Sequence, residues 1–94
     1  MVIPLEALPN QSLSIKLGNQ DCRFEFVTRL KNLFMNLYVN NELLIGGMIC
    51  LNKVNLIQEN YLGFEGQLYF EDLEGNEDPY FWGLNKRWVL NYVQ

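Results

Sequence analysis

The stretch that decides the fold is CRFEFVTRLKNLFMNLYV, residues 22–39. Its first half alternates apolar and polar side chains with a period of two, the pattern of a β-strand that is buried on one face. The inward set predicted for this strand is Cys22, Phe24, Phe26, Thr28 and Leu30. A further predicted strand follows, and its inward set is Leu33, Met35, Leu37 and Val39. Two such strands in succession indicate a sheet with one buried face.

A strand of the same kind precedes this stretch, with Leu13, Ile15 and Leu17 on its inward side. Gly18 and Asn19 follow it, and both residue types accept the positive φ that a tight reversal needs. The first two strands are therefore predicted to form a hairpin.

The rest of the chain continues in short extended segments. Asparagines at positions 40–41 predict a tight turn, because Asn tolerates the left-handed conformation. Residues 43–51 predict a strand buried on both faces, with a bulge at the paired glycines 46–47, which also disfavour a helix. Weaker extended pieces at residues 54–57 and 61–64 lead to two more alternating strands near the C-terminus. An acid-rich loop over residues 72–86 separates those last two strands.

The length of 94 residues suits one domain, so residues 1–94 are predicted to form a single β domain. Six or seven short strands with regularly spaced turns predict an all-β, antiparallel fold. A small β-sandwich and a partly closed β-barrel both remain open. Residues 1–11 contain two prolines and no alternation, which suggests the hypothesis of an extended N-terminal arm that orders only on a partner.

Composition excludes several classes of function. Eleven acidic against seven basic residues give a net charge of −4, the opposite of the basic surface that nucleic acids require. The longest apolar stretch is about half of the ~20 residues that span a bilayer. The chain has no histidine, which removes the commonest general base and metal ligand. Cys22 and Cys50 follow no metal-binding or redox spacing, and buried thiols are expected rather than a disulfide.

The acidic cluster at residues 71–78 is the strongest candidate for chemistry. Oxygen donors at every second position resemble the start of a calcium loop, but Glu77 stands where such a loop needs glycine. A glycosidase-like carboxylate pair is a weaker alternative, since any acidic loop offers one. The prediction is a solvated acidic loop, with no catalytic residue, metal site or cofactor.

Aromatic residues give the candidate interface. Phe34 and Tyr38 fall on the face of their strand that is expected to be wet, where with Val27 they form an apolar patch. Tyr80, Phe81 and Trp82 follow one another in the acidic loop. This triplet has three readings: a lid over the core, a protein interface, or a platform for a sugar. The candidate interface residues are Phe34, Tyr38, Tyr80, Phe81 and Trp82.

Three stretches resemble the phage baseplate plug family, small tail proteins of contractile-tailed bacteriophages. They are MVIPLEALPNQSLSIKLGNQDCRFEF at the start, LFMNLYVNNELLIGGMICLNKVNLI in the middle and YLGFEGQLYFEDLEGNEDPYFWGLNKRWVLNYV at the end. The order of these pieces over nearly the whole chain carries the likeness. Similar proteins have a glycine before the last strand, where this chain has Asn85, the other residue that accepts a left-handed turn.

The resemblance implies a non-enzymatic structural protein of the virion, placed in the tail baseplate at or near the central hub and the tail-tube end. It implies partners among the hub, tail-tube and tape-measure proteins, in a symmetric multi-copy assembly made in the host cytoplasm. No nucleic-acid partner, membrane or cofactor is expected. The alternative function is a small β-type module that binds carbohydrate or peptide through residues 80–82.

Overall fold

The computed structural model describes residues 1–57 and 63–94. Six strands form two layers of a sandwich that does not close into a barrel. The larger sheet has the order β1-β2-β3-β4, and the smaller pairs β5 with β6, every pair being antiparallel. The strands are β1 Asn10–Leu17, β2 Gln20–Arg29, β3 Asn32–Val39, β4 Glu42–Ile49, β5 Gln67–Asp72 and β6 Trp88–Val93. A short 3₁₀ helix, Phe81–Gly83, lies between β5 and β6. Among the described residues no helix is long and apolar enough to cross a membrane.

The inward residues predicted for β2 and β3 build the core between the layers. Phe24 stacks on Phe26 with ring centroids 6.0 Å apart, and Phe26 meets Phe70 of β5 edge to face at 6.2 Å. Phe26 therefore joins the two sheets. The buried apolar residues of β2 and β3 are Cys22, Phe24, Phe26, Leu33, Met35 and Leu37.

Three turns take the left-handed backbone that their residue types allow. The β1–β2 turn has Gly18 at φ 63°, and both Asn40 and Asn41 have positive φ between β3 and β4, as predicted. Asn85, before the last strand, also has a positive φ, of 61°. Asparagine accepts this conformation more readily than most other side chains.

The position of Leu30 differs from the sequence prediction. It was expected on the inward face of β2, but the strand ends at Arg29 and Leu30 lies in the β2–β3 turn, 93% exposed. Its φ of 55° is rare for a bulky side chain. The reason is register: Arg29 pairs with Asn32, which leaves Leu30 and Lys31 as the two turn residues.

The fourth strand was predicted to be buried on both faces, and that prediction is wrong. In β4, Ile45 is buried while Leu43 is 57% exposed. The bulge at the paired glycines is confirmed: Ile45 pairs with Leu37 and Met48 with Met35, so Gly46 and Gly47 together oppose the single residue between those partners. A second register shift, between Leu37 and Tyr38, places Leu43 opposite Tyr38 on the outward face, and the strand ends at Ile49.

Extended segments flank both sides of the small sheet. Val2 forms an antiparallel bridge with Asn91 of β6, and Asn52 a parallel bridge with Phe70 of β5. The predicted piece at residues 54–57 continues along β5, where the Leu56 N–H donates to the Leu68 carbonyl at 2.8 Å. Of the piece predicted at residues 61–64, Tyr61 and Leu62 lie outside the described residues.

The first residues of the chain lie against their own domain. Ile3 and Leu5 are buried, and the Ile3 N–H donates to the Leu90 carbonyl at 2.8 Å. Exposed residues follow them, and the Gln11 side chain bonds back to the Glu6 backbone at 2.6 Å. An arm over residues 1–11 that orders on a partner stays a prediction, and the exposed part after Leu5 is where it would apply.

Candidate interaction surfaces

An apolar row crosses three strands on the outward face of the large sheet. The register places Val27 of β2 opposite Phe34 of β3, and Phe34 opposite Ile49 of β4, all three half-buried. A groove of about 220 Å³ opens here, lined by Val27, Arg29, Phe34, Asn36 and Gly47. Small-molecule pockets usually enclose about 300–1,000 Å³, so this groove suits one apolar side chain of a protein partner better than a ligand. We call it the Phe34 groove.

Tyr38 lies on the same outward face but is not part of this row. Asn36 separates it from Phe34, and the rise of a strand puts four residues about 13 Å along the sheet. The Arg23 guanidinium lies 4.0 Å from the centroid of the Tyr38 ring. A polar network fills the interval, in which Glu25 accepts from Arg23 at 2.8 Å and from Asn36 at 3.3 Å. The predicted patch is therefore two apolar areas divided by polar side chains.

The aromatic run at residues 80–82 combines packing with exposure. Tyr80 and Phe81 are half-buried against the core, with their ring centroids 4.9 Å apart. Trp82 is 54% exposed and meets Trp88 edge to face at 5.1 Å. The rings of the first pair are tilted by 54° and those of the second by 74°. This arrangement partly covers the core and offers one exposed tryptophan, rather than a flat platform of three rings.

The β2–β3 turn lies beside this aromatic run. The Tyr80 hydroxyl donates to the Leu30 carbonyl at 3.1 Å, which connects the loop before β6 to the turn. Arg29 and Lys31 flank Leu30, both are exposed, and neither forms an ion pair within the described part of the chain. We call Arg29, Leu30 and Lys31 the basic tip.

The sequence reasoning missed the basic tip, although a signal was present. In β2 the inward residues have even numbers up to Phe26, and in β3 they have odd numbers from Leu33. In a hairpin with a two-residue turn the numbers of paired residues have an odd sum, so this change of parity indicates such a turn between Phe26 and Leu33.

The acidic loop is organised around a buried carboxylate. The Asp72 side chain is inaccessible to solvent and accepts from Arg87 through both of its oxygens, each at 2.9 Å. It also accepts from the backbone N–H groups of Glu74 and Glu77 at 2.9 Å. The hydrogen bonds from Arg87 hold the pKa of Asp72 well below its usual range, and the same pairing raises the pKa of Arg87. The prediction of a solvated acidic loop is wrong for Asp72, which fixes the loop from inside.

The other acidic residues divide between this network and the surface. Glu77 pairs with Arg87 at 2.8 Å, and Asp78 accepts from the Asn52 N–H at 2.9 Å. Glu74 is exposed and forms no ion pair among the residues that the structure describes. No cluster of three or more potential metal ligands occurs within residues 1–57 and 63–94. The loop is arranged as a folded polar network, and the Glu74 carboxylate at its surface takes part in none of these hydrogen bonds or ion pairs.

Both cysteines are buried free thiols, as the sequence predicted. Burial raises the pKa of Cys22 and of Cys50. Since the thiolate is the reactive form, this environment keeps both side chains inert. They serve as small apolar residues of the core.

The described residues thus define a small all-β protein that presents an apolar groove, a basic tip and an exposed tryptophan at its surface. The family model described as cyanophage baseplate Pam3 plug gp18 matches residues 1–94, the whole chain. The chain belongs to this family of phage baseplate plug proteins. None of the curated proteins matches it.

Proposed function

We propose that this chain is a non-enzymatic structural component of the tail baseplate that lies at or near the central hub and the tail-tube end. The observation that carries the proposal is the family match, which extends over all 94 residues. In this role the chain acts through protein–protein contacts. It is made in the host cytoplasm and is built into the virion in several copies, with hub, tail-tube and tape-measure proteins as candidate neighbours.

The surface of the chain supports a role in assembly. Phe34 and Trp82 present apolar area on two separate parts of the molecule, the outward face of the large sheet and the loop before β6. Tryptophan and other aromatic side chains contribute much of the binding free energy at protein interfaces. Two separate areas allow the chain to contact two neighbours at once, as a component between hub and tube must.

The acidic residues support the non-enzymatic part of the proposal. A general acid or base needs a pKa near the working pH and access to substrate. Asp72 has a lowered pKa and is held by Arg87 away from solvent. The carboxylate with the most elaborate environment is thus committed to folding the loop.

The proposal is tested by co-expressing the chain with the hub and tail-tube proteins of the same phage, followed by size-exclusion chromatography. We expect the chain to co-elute with one of them. Phe34→Ala and Trp82→Ala, made singly, locate the contact, because each removes an aromatic side chain from one of the two areas. Val93→Ala is the matched control, since Val93 is an exposed apolar residue of β6 outside both areas.

Two results would contradict the proposal or replace it. Failure of the folded wild-type chain to co-elute with either protein would count against the baseplate contact. A carbohydrate-binding or peptide-binding module would instead bind glycans or peptides in an array and lose that binding in Trp82→Ala. Circular dichroism of the variant must match the wild type, so that lost binding is not lost folding.

A further inference from the structure

We propose that the chain associates with itself, the basic tip and Phe34 groove of one copy binding Leu73 and Glu74 of a second copy. The inference deepens the proposed assembly function and rests on it. It names the surfaces by which copies would meet, which the family match does not supply.

Charge is distributed unevenly along the chain. The large sheet, residues 10–49, has four basic against three acidic residues, whereas residues 63–94 have six acidic against two basic. The molecule as a whole is acidic, so the basic tip with its unpaired Arg29 and Lys31 is a local exception. Complementary surfaces on one chain attract a second copy and orient it.

Leu73 and Glu74 form a knob whose chemistry matches the groove. Leu73 is 57% exposed, and the carboxylate of its neighbour Glu74 is available at the surface. The Phe34 groove offers apolar walls from Val27 and Phe34 and a cationic rim from Arg29. An apolar side chain next to a carboxylate fits an apolar groove next to a guanidinium.

The knob is rigid before any contact is made. The Leu73 N–H donates to the Arg87 carbonyl at 2.8 Å, and the Glu74 N–H donates to Asp72 at 2.9 Å. A segment whose backbone is already fixed loses little conformational entropy on binding. The buried ion pair of Asp72 and Arg87 therefore also presents the knob.

The backbone of the basic tip has an energetically unfavourable conformation. Leu30 keeps a left-handed backbone, which costs a non-glycine residue roughly 1–2 kcal/mol, and it is nearly fully exposed. The two-residue turn requires a positive φ, and it displays the Leu30 side chain at the surface. In the proposed contact Leu30 adds exposed apolar area next in sequence to Arg29, which lines the groove.

A copy does not fill its own groove with its own knob. The groove is on the outward face of β2 and β3, whereas the knob follows β5 in the other layer of the sandwich. Because the two surfaces differ, the contact either closes reciprocally between two copies or repeats around a ring. Both forms need the same pair of surfaces.

The test is analytical ultracentrifugation of the purified full chain over a concentration series, at low and at high salt. We expect reversible self-association that weakens with salt, since exposed charges are screened. Lys31→Glu and Glu74→Lys should each weaken association by about tenfold or more, because like charges then face one another. Lys16→Glu is the matched control: Lys16 is exposed on β1, forms no ion pair among the described residues, and should change little.

Combining the two charge changes in one chain gives the decisive result. Each single variant repels itself, whereas the double variant Lys31→Glu, Glu74→Lys has opposite charges at every contact, in a reciprocal pair and in a ring of any size. Recovery of association in the double variant supports the proposal. A double variant that stays monomeric, or single variants that associate as tightly as the wild type, would overturn it.

Leu30→Gly separates association from folding. Glycine accepts φ 55° without strain, so the variant should be at least as stable as the wild type while associating more weakly. A wild-type chain that stays monomeric at every concentration but still co-elutes with hub or tube proteins would refute self-association alone. Self-association without such co-elution would refute the baseplate contact alone.

Discussion

The β2–β3 hairpin and the segment from Asp72 to Trp88 are joined by one hydrogen bond, yet they are held by different forces. The hairpin is fixed by a periodic apolar face, with Phe26 packed against the opposite layer. The segment has no such period, and a buried carboxylate with its guanidinium partner fixes it instead. Apolar burial is non-directional and tolerates similar side chains. A buried ion pair tolerates the loss of neither partner, because the remaining charge stays buried alone.

The largest effect should come from a substitution at the buried face of the β2–β3 hairpin. Phe26→Ala removes the ring that stacks on Phe24 and meets Phe70, and it leaves a cavity between the sheets. Such truncations cost about 3–5 kcal/mol, a large part of the stability of a small domain. Chemical denaturation monitored by tryptophan fluorescence measures the loss, with Phe26→Leu as the milder control. A loss below about 1 kcal/mol would mean that the layers are not joined through this ring.

The next effect should come from Asp72→Asn, which keeps the shape of the side chain and removes its charge. We expect residues 73–78 to exchange their amide hydrogens faster, because Glu74 and Glu77 lose a charged acceptor. The large sheet should keep its protection. Hydrogen exchange with residue resolution checks this, and Glu74→Gln is the control, because the Glu74 side chain forms no hydrogen bond or ion pair among the described residues. If amide exchange became faster to the same extent in the large sheet and in residues 73–78, different forces would not hold the two regions.

The lowered pKa of Asp72 predicts that the free energy of unfolding depends on pH. The pKa of Asp72 is lowered in the folded protein. The ion pair with Arg87 therefore contributes its full stabilisation of the folded protein at pH values above the ordinary aspartate pKa of about 4. As the pH falls below that value, the unfolded chain binds a proton that the folded chain resists, and the stabilisation is lost. The unfolding free energies of wild type and Asp72→Asn should therefore converge in acid. A constant difference from neutral pH to pH values well below 4 would show that the charge of Asp72 does not matter.

The difference between the two regions also explains what could be predicted from the sequence. Alternation reported the inward faces of β2 and β3, because burial of one strand face leaves a period of two in the chain. Alternation failed at Leu30, which lies in a turn. The continuous apolar run failed at Leu43, which an irregular register places on the outward face. The network of Asp72 was invisible, since Arg87 is fifteen residues away and only the fold brings the two charges together. The Phe34 groove likewise depends on the pairing register of β2, β3 and β4, which the pattern of a single strand does not report.

The smallest effect should come from the hydrogen bond that joins the two regions. Tyr80→Phe removes the hydroxyl that donates to the Leu30 carbonyl and leaves the ring in place. An exposed hydrogen bond of this kind contributes about 0.5–1 kcal/mol, so stability should change by no more than that. Tyr69→Phe is the matched control, because the Tyr69 hydroxyl has no hydrogen-bond partner among the described residues.

The informative readout for Tyr80→Phe is self-association rather than stability. If the bond holds the basic tip in the conformation that meets a second copy, association should weaken while the core remains intact. If association is unchanged, the left-handed backbone at Leu30 is maintained by the hairpin register alone. In that case the two regions are independent despite their contact, and the tip needs no support from the loop before β6.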